Sequence, residues 1–304
     1  MQKTNIKYLT HTCSPLAMRC TPVSSGCANC WHITMADRFK NNSNFSKEIR
    51  EAYAGDRPPI LIESRLDAIV RHKKPAVIGL QFMGDLFGEG VTEFQWLQVF
   101  DTVRRSIYNG GARPGHTFII LTKRVNTMKL VLESLKWDGK TLNYEKGSPF
   151  MPLAGKGIYI GVSVEDQPTA DERIPILLQI PAAVRFISYE PALGGLNLIK
   201  YLNLDRIFVP ASGPSGFWRY EENKTSPCEN IIDWIIAGCE SGPNRRPADI
   251  EWFRDVRNQC VAAGIPYFLK QIEVEFGNGK LGIEKMPFLD GQRYDQMPGK
   301  IVDR

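Results

Sequence analysis

The sequence lacks any apolar run that approaches the roughly 18–20 residues needed to cross a membrane as a helix. Its first residues, MQKTNIKYLTHTC, also lack the apolar stretch, about 7–15 residues long, of a signal peptide. It shows no internal repeat, heptad pattern or low-complexity tract. These absences argue against transmembrane helices, coiled coils and repeat arrays, and we expect a cytoplasmic protein with no membrane partner.

Cysteine is scarce: the 304-residue chain has seven, an odd number that argues against a disulfide framework in a reduced compartment. Three of them nevertheless lie close together in the stretch CTPVSSGCANCW, as Cys20, Cys27 and Cys30. A group this dense in a long intracellular chain indicates metal or redox chemistry.

The excess of positive charge is small. Lysine and arginine number 38 against 33 aspartates and glutamates, which gives a net charge of +5. This balance is compatible with a nucleic-acid substrate and also with an ordinary solvated surface. With 43% hydrophobic residues, the chain suffices for one large core with insertions.

Short apolar runs alternate along the chain with amphipathic stretches, as is typical of parallel α/β proteins. The runs are Ala76–Met83, His116–Lys123, Gly157–Val164, Ala183–Glu190, Asp233–Glu240 and Ile265–Gln271. Among the amphipathic stretches, Thr92–Ser106 begins with an N-cap threonine and Asp249–Gly264 ends in a C-cap glycine. We therefore expect a parallel sheet or barrel of β/α units.

Almost every run ends in a polar cluster, and parallel α/β proteins bind their ligands at the carboxyl ends of the strands. The clusters are Gly84-Asp85, Thr122-Lys123-Arg124, Ser163-Val164-Glu165-Asp166, Tyr189-Glu190-Pro191, Gly238-Cys239-Glu240-Ser241-Gly242 and Lys270-Gln271. Strand ends that together supply carboxylates, cations and hydroxyls indicate an enzyme cavity.

The cysteine group admits two kinds of metal site. A structural zinc needs four ligands, and the nearest candidates for the fourth are Cys13 and His32. A four-iron cluster held by three cysteines instead leaves one iron free to bind a small molecule. The spacing alone, six residues and then two, leaves zinc and iron–sulfur open.

Blocks of sequence between Thr12 and Gln271 resemble, in order, a family of phage and prophage proteins of unknown function. That family is similar to a divergent branch of the radical S-adenosylmethionine (SAM) superfamily. The blocks are CTPVSSGCANCW, QFMGDLFGEGV, TFIILTKR, IGVSVEDQPTADERIPILLQIPAAVRFISYEPALGGLNL, DWIIAGCESGPNRRP and CVAAGIPYFLKQ. The chain departs from the pattern in its longer first cysteine gap, in Cys13-Ser14-Pro15 for Trp-Asn-Pro, and in Cys239 for glycine.

The resemblance implies a full or partial (β/α) TIM-like barrel, with the cysteine segment after the first strand and SAM across the carboxyl ends of the others. We expect this barrel over residues 1–271, with insertions at about 135–156 and 204–230 that break the α/β rhythm. Residues 272–304, which are polar and irregular, are expected to form an extension packed on the barrel.

The resemblance also implies cofactors and a reaction. A [4Fe-4S] cluster on Cys20, Cys27 and Cys30 would bind SAM at its open iron. With one electron from an external donor it would cleave SAM to methionine and a 5′-deoxyadenosyl radical, which abstracts hydrogen from the substrate. The residues expected to bind SAM are Gly84 and Asp85 for its amino group, Lys123 for its carboxylate, and Ser163 and Glu165 for its ribose.

Other strand-end residues are assigned to catalysis and to the substrate. The residues expected in proton transfer, substrate binding or radical quenching are Glu190, Glu240, Cys239 and Lys270. Those expected to contact DNA are Arg124, Trp218, Arg245 and Arg246. Plainer roles are open too, since the carboxylates could pair with Arg245 or Lys270 and Cys239 could be a buried thiol.

The substrate that the resemblance implies is a hypermodified, amino-acid-decorated thymine in phage DNA, which the enzyme would isomerise in the cytoplasm of a host bacterium. Aromatic and cationic residues in both insertions suit an extruded base. Two alternatives are a zinc-binding nucleic-acid-binding protein without catalysis and a zinc-dependent base-exchange transglycosylase on a TIM barrel. The sequence does not indicate the oligomeric state.

Overall fold

The computed structural model of the chain describes residues 1–108, 115–137, 141–145, 157–202, 231–242, 244–277 and 280–298. The strands are β1 (Gln2–Lys3), β2 (His11–Cys13), β3 (Leu16–Ala17), β4 (Ile60–Leu61), β5 (Val77–Leu80), β6 (Thr117–Thr122), β7 (Leu135–Trp137), β8 (Leu142–Tyr144), β9 (Ile158–Val164), β10 (Val184–Tyr189), β11 (Trp234–Gly238), β12 (Tyr267–Phe276), β13 (Lys280–Lys285), β14 (Phe288–Leu289) and β15 (Gln292–Arg293). The helices are α1 (Trp31–Phe39), α2 (Lys47–Ala54), α3 (Glu63–Arg71), α4 (Glu93–Tyr108), α5 (Val125–Ser134), α6 (Gln167–Leu177) and α7 (Ile250–Ala263).

Nine of these strands form one sheet, in the order β1-β2-β5-β6-β9-β10-β11-β12-β13. From β2 to β12 the neighbours are parallel and follow one another in chain order. β1 and β13 flank them as antiparallel edge strands. The apolar runs predicted to be buried strands are all confirmed as members of this sheet.

The predicted TIM-like barrel is wrong, because within the described residues the sheet does not close. Closure would require β2 to pair with β12, and both of the edges involved are already occupied. β1 lies along β2, and residues 294–296 lie along the first half of β12. Tyr8 fills the gap between the two ends, with its ring 5.4 Å from that of Trp234 and 5.3 Å from that of Phe268. The sheet is therefore open, and it curves until its ends face one another.

Side chains alternate between the two faces of this curved sheet, and each face has its own core. The convex face packs against the helices in the larger hydrophobic cluster. On the concave face, the amino-terminal halves of the strands carry a separate apolar cluster, which we call the aromatic plug. Its aromatic members are Tyr8, Tyr159, Phe186, Trp234 and Phe268. Apolar residues on both faces explain why the strands are apolar nearly throughout.

Local hydrogen bonds account for the helix boundaries. Ahead of α4, Thr92 Oγ1 accepts from the Gln95 amide at 3.3 Å, and Gln95 Oε1 accepts from the Thr92 amide at 3.0 Å. Asp249 caps α7, which ends at Gly264 with a φ of +66°. The predicted start of α4 and both ends of α7 are thus confirmed.

Of the predicted insertions, 204–230 lies wholly outside the described residues. The insertion at 135–156 is described only at 135–137 and 141–145, where β7 and β8 pair as a short hairpin. The boundary predicted at residue 271 falls inside β12, and the later residues Leu289 and Tyr294 are buried in the core of the sheet. The described residues 272–277 and 280–298 pack against the sheet.

Among the helices that the structure describes, none combines the length and the apolarity that a membrane span requires.

Candidate active site

A cavity of about 270 Å³ opens at the carboxyl ends of the parallel strands, above the aromatic plug. One wall is the cysteine segment, residues 20–30, which leads from β3 into α1. The ends of β5, β6, β9, β10, β11 and β12 supply the rest. The predicted site residues that line it are Cys20, Cys27, Cys30, Gly84, Asp85, Lys123, Arg124, Ser163, Glu190, Cys239, Glu240 and Lys270.

The three cysteines of the segment face this cavity as free, partly buried thiols. Ser25–Cys27 form one 3-10 turn and Cys30 caps α1, so the second and third thiols follow one another around a tight bend. Burial alone raises the pKa of Cys27, but backbone hydrogen bonds and the charge of Lys123 bring it below its usual value. The segment therefore favours a thiolate at that position.

Arg124, just after β6, holds the start of the cysteine segment. Its guanidinium donates to the Thr21 carbonyl at 2.5 Å and to Cys20 Sγ at 3.4 Å. Burial raises the pKa of the Cys20 thiol, and the charge of Arg124 opposes that rise. Asp85 holds the guanidinium in turn, at 3.2 Å.

Asp85 uses both carboxylate oxygens inside the protein. Each accepts from Thr122 Oγ1, at 2.7 and 2.8 Å, and Oδ2 also accepts from the Lys123 amide at 3.2 Å. Oδ1 accepts from the Phe87 amide at 3.0 Å. The carboxylate predicted to receive the SAM ammonium is thus occupied by protein donors, and it positions Arg124.

Glu165, just after β9, holds the middle of the cysteine segment. Its fully buried carboxylate accepts from Ser24 Oγ at 2.8 Å and pairs with Lys123 and, at 3.4 Å, with Arg173. A Cβ at Gly26 would lie 2.6 Å from Glu165 Cγ and 2.6 Å from Lys123 Nζ. Only glycine fits between the segment and this ion pair.

Glu240, just after β11, holds the later part of the cysteine segment. It accepts from Arg246 Nη2 at 2.6 Å and from Asn29 Nδ2 at 3.0 Å, and Arg246 also donates to the Ser25 carbonyl at 2.9 Å. Burial by itself raises the pKa of Glu240, but these hydrogen bonds lower it to about 2. The carboxylate stays charged at neutral pH, which suits an anchor better than a proton donor.

A second charged pair spans the ends of β10 and β12. Glu190 reaches across Gly238 to Lys270, with Oε2 2.9 Å from Nζ, and a Cβ at Gly238 would lie 2.5 Å from Glu190 Oε1. The register of β11 and β12 shifts after Ala237, a β-bulge that turns both Lys270 and Gln271 towards the cavity. Burial alone lowers the pKa of Lys270, but Glu190 raises it above its usual value, so the amine stays charged.

Cys239, the unusual thiol at the end of β11, lies beside this pair. It is buried, and burial raises the pKa of its thiol to about 12. At physiological pH this favours the neutral thiol of Cys239 over the thiolate.

Each cation expected at the mouth of the cavity has a carboxylate partner. The pairs are Lys123–Glu165, Arg124–Asp85, Arg245–Glu273, Arg246–Glu240 and Lys270–Glu190. Arg245 does not line the cavity, because it turns towards Glu273 and the Leu281 carbonyl. Trp218 lies outside the described residues. The strand-end charges thus balance one another.

The lining residues that sequence reasoning missed include Tyr8, Trp31 and Ser188. The alternation of strand residues could have revealed Ser188, which lies two positions before Glu190 on the same face. Tyr8 and Trp31 gave no such signal, since neither belongs to a predicted strand. Trp31, with half of its surface exposed, stands at the rim of the cavity.

The three thiols that line the cavity are donors that both zinc and iron–sulfur clusters accept. Among the described residues, no three His, Cys, Asp or Glu side chains are placed to share one metal ion. Cys13 Sγ donates instead to the Arg65 carbonyl at 3.4 Å, and His32 Nε2 accepts from the Cys20 amide at 3.3 Å. Cys13 does not line the cavity, whereas His32 does, with its buried Nδ1 left without a partner among the described residues.

Residues 3–298 match a family described as a protein of unknown function (DUF5131). No curated protein and no solved structure matches the chain. The family description states no activity and makes no link to phages or to SAM, so the functional inference rests on the site.

Proposed function

Since the chain belongs to the DUF5131 family, we propose its function from its own site: an enzyme that holds a [4Fe-4S] cluster and cleaves SAM reductively. The observation that supports this most is the convergence of Cys20, Cys27 and Cys30 on one cavity at the carboxyl ends of a parallel sheet. Cys13 does not line that cavity and its thiol bonds to the Arg65 carbonyl, so it adds no fourth thiolate there. Three thiolates of this kind leave one iron open for SAM.

When bound, such a cluster would pass one electron from an external donor to SAM, giving methionine and a radical that removes hydrogen from the substrate. The chain's own residues hold the site in shape. The cysteine segment is hydrogen-bonded to three different strand ends, through Arg124, Glu165 and Glu240. Tyr8 of the aromatic plug lines the cavity, and the rings of Trp234 and Phe268 pack against it. Radical chemistry requires a site of fixed geometry.

Three residues expected to touch SAM have other partners, and one of them, Lys123, pairs with Glu165. Asp85 and Glu165 are bonded to protein donors, so we assign them to positioning Arg124, Lys123 and the cysteine segment. On the cavity wall, the Ser163 hydroxyl makes no hydrogen bond to another described residue and is open to a ligand.

For the substrate we propose a hypermodified thymine in DNA, which the enzyme would isomerise. A cavity of about 270 Å³ admits no duplex, so the base would be extruded from the helix to react. Because the strand-end cations are paired, contacts to DNA phosphates would come from other surfaces. A salt titration of binding to phage-modified and plain DNA tests this: equal affinities at every salt concentration would count against a DNA substrate.

Metal analysis after anaerobic purification tests the proposed enzyme class. We expect brown protein with about four irons per chain and absorbance near ~400 nm, lost when Cys20, Cys27 or Cys30 is replaced by alanine. Cys13→Ala is the matched control and should keep its iron, since its thiol faces the Arg65 carbonyl. With dithionite and SAM, the protein should release 5′-deoxyadenosine and methionine.

Three results would contradict the proposal. Colourless protein with about one zinc per chain would favour one of the zinc alternatives. Iron loss in Cys13→Ala as complete as in Cys27→Ala would indicate four thiolate ligands and no open iron. Release of S-adenosylhomocysteine alone would indicate polar methyl transfer.

A further inference from the structure

Three buried polar atoms of cavity-lining residues have no hydrogen-bond partner among the described residues. One is His32 Nδ1 at the start of α1, and the other two lie together at the end of β10. Glu190 Oε1 and Ser188 Oγ are buried, and no described residue hydrogen-bonds to either. Ser163 is the direct neighbour of Ser188 across the two strands. Burying an oxygen without a hydrogen-bond partner costs free energy, so such oxygens are rare in folded proteins. We infer that a ligand group supplies the missing partner at this corner of the cavity.

The sheet is shaped to present Glu190 and Lys270 side by side at this corner. Gly238 lies between them on the intervening strand, and any side chain there would push the carboxylate away. The bulge in β12 turns Lys270 and Gln271 into the cavity together. Two separate features, the glycine and the bulge, thus allow Glu190 and Lys270 to lie side by side.

The chemistry of the pair selects a neutral ligand with a donor beside an acceptor. Glu190 accepts, Lys270 donates and retains unused N–H groups, and their charges cancel. A free carboxylate or a free ammonium would meet a like charge from one member of the pair. The nearby apolar wall of Tyr8, Phe82 and Leu121 suits a flat ring.

We propose that Glu190 and Lys270, with Ser163 and Ser188, form a recognition site for the imide edge of a pyrimidine-2,4-dione base. The ring N–H donates to Glu190, and an adjoining carbonyl accepts from Lys270. The serine hydroxyls lie beside the pair and can donate to the other carbonyl. Rotation about the terminal bond of Glu190 exchanges its two oxygens, so the unpartnered one can face the ring.

This inference rests on the proposed function and names the edge of the base that the cavity recognises. Cytosine has no N–H at the corresponding ring position, and with its carbonyl against Lys270 the buried carboxylate would face the N3 lone pair, which weakens binding. The imide edge is the one used in base pairing, so recognition requires an extruded base.

Calorimetric binding of free nucleosides to the full chain tests the site. We expect thymidine to bind at millimolar concentration. N3-methylthymidine and deoxycytidine should bind at least about tenfold more weakly, since each lacks the N–H that Glu190 accepts. This comparison uses the unmodified protein and does not depend on whether a variant folds. Absence of thymidine binding, or equal affinity for all three nucleosides, overturns the proposal.

Variants then assign the contacts. Glu190→Gln should remove most of the preference for thymidine over its N3-methyl derivative. Lys270→Met should weaken the binding of both nucleosides and keep part of that preference. Lys129→Met and Glu133→Gln are matched controls, because they alter a Lys–Glu pair 2.7 Å apart on α5, outside the cavity. Retention of the full preference in Glu190→Gln would overturn the assignment.

The outcomes also separate this site from the proposed enzyme class. Thymidine preference in a colourless zinc protein would leave the recognition site standing and reject the radical mechanism. Bound iron and SAM cleavage without any nucleoside preference would support the radical mechanism and reject the recognition site.

Discussion

At the scale of single residues, Gly26 decides whether the cysteine segment can approach the strand ends. A methyl group there would overlap Glu165 and Lys123, both at 2.6 Å. Because that ion pair is buried, Gly26→Ala should lower the free energy of unfolding by about 1–3 kcal/mol, as overpacking does. It should also reduce the iron content. Urea denaturation and metal analysis measure the two effects.

Gly277→Ala provides the control for this substitution, since a Cβ at Gly277 would meet nothing within 4 Å. Its stability and iron content should match those of the unmodified protein. A Gly26→Ala variant with full iron content would show that the segment tolerates displacement from Glu165.

Glu240 gives the molecule a defined response to acid. Its pKa of about 2 in the folded protein lies below the value of 4.5 expected in an unfolded chain. The charged form therefore stabilises the fold above pH 4.5, and this contribution is lost as the pH falls towards 2. The shift corresponds to about 3 kcal/mol, and screening at Arg246, whose side chain is 36% exposed, reduces it to about 1–2 kcal/mol.

Glu240→Gln tests that response while preserving the shape of the side chain. Its free energy of unfolding should be lower than that of the unmodified protein at pH 7, and the difference should shrink as the pH falls below about 4. Urea denaturation across the pH range measures this. A difference that stays constant at every pH would assign the effect to packing and not to charge.

The sequence indicates which charged residues lie at strand ends, but not which residues they pair or hydrogen-bond with. Asp85, Glu165 and Glu240 all end apolar runs, so their place beside a cavity could be predicted. Their hydrogen bonds reach Arg124, Ser24 and Asn29, at distances along the chain that no local pattern encodes. A carboxylate at a strand end can hold a ligand or a loop, and only the packed structure distinguishes these roles.

At the scale of elements, the reciprocal bonds of Thr92 and Gln95 fix the start of α4. Thr92→Ala removes the side-chain acceptor for the Gln95 amide and should lower the free energy of unfolding by about 1 kcal/mol. Gln98→Ala, at an exposed position of the same helix, should have no destabilising effect. Equal losses in the two variants by urea denaturation would contradict the cap.

The strands and helices were predictable for a physical reason. A strand with helices on one side and the aromatic plug on the other must be apolar on both faces, and such runs stand out in the sequence. Closure of the sheet was not predictable in this way. It depends on what covers the edges of β2 and β12, and the covering segments, β1 and residues 294–296, are too short to show a periodic pattern.

At the scale of the whole molecule, the segment along the edge of β12 protects the open sheet. The Leu269 amide donates to the Tyr294 carbonyl at 2.8 Å, and the Tyr294 side chain is buried. Ending the chain after Asp290 should cost about 3–5 kcal/mol of stability from the lost aromatic ring. It should also expose a strand edge that pairs with other copies. Size-exclusion chromatography at several concentrations would reveal this association.

A chain ended after Pro298 retains every residue of the described edge segment and is the control. It should elute as the full chain does and unfold at the same urea concentration. Identical behaviour of the chain ended after Asp290 would mean that residues 294–296 do not protect the edge.

The cysteine segment and the Glu190–Lys270 corner line one cavity of about 270 Å³. Tyr8 of the aromatic plug also lines it, and the rings of Trp234 and Phe268 pack against that ring. A group bound to the thiols and a base bound at the corner would therefore share one small space, and whichever binds first sets the room that remains for the other.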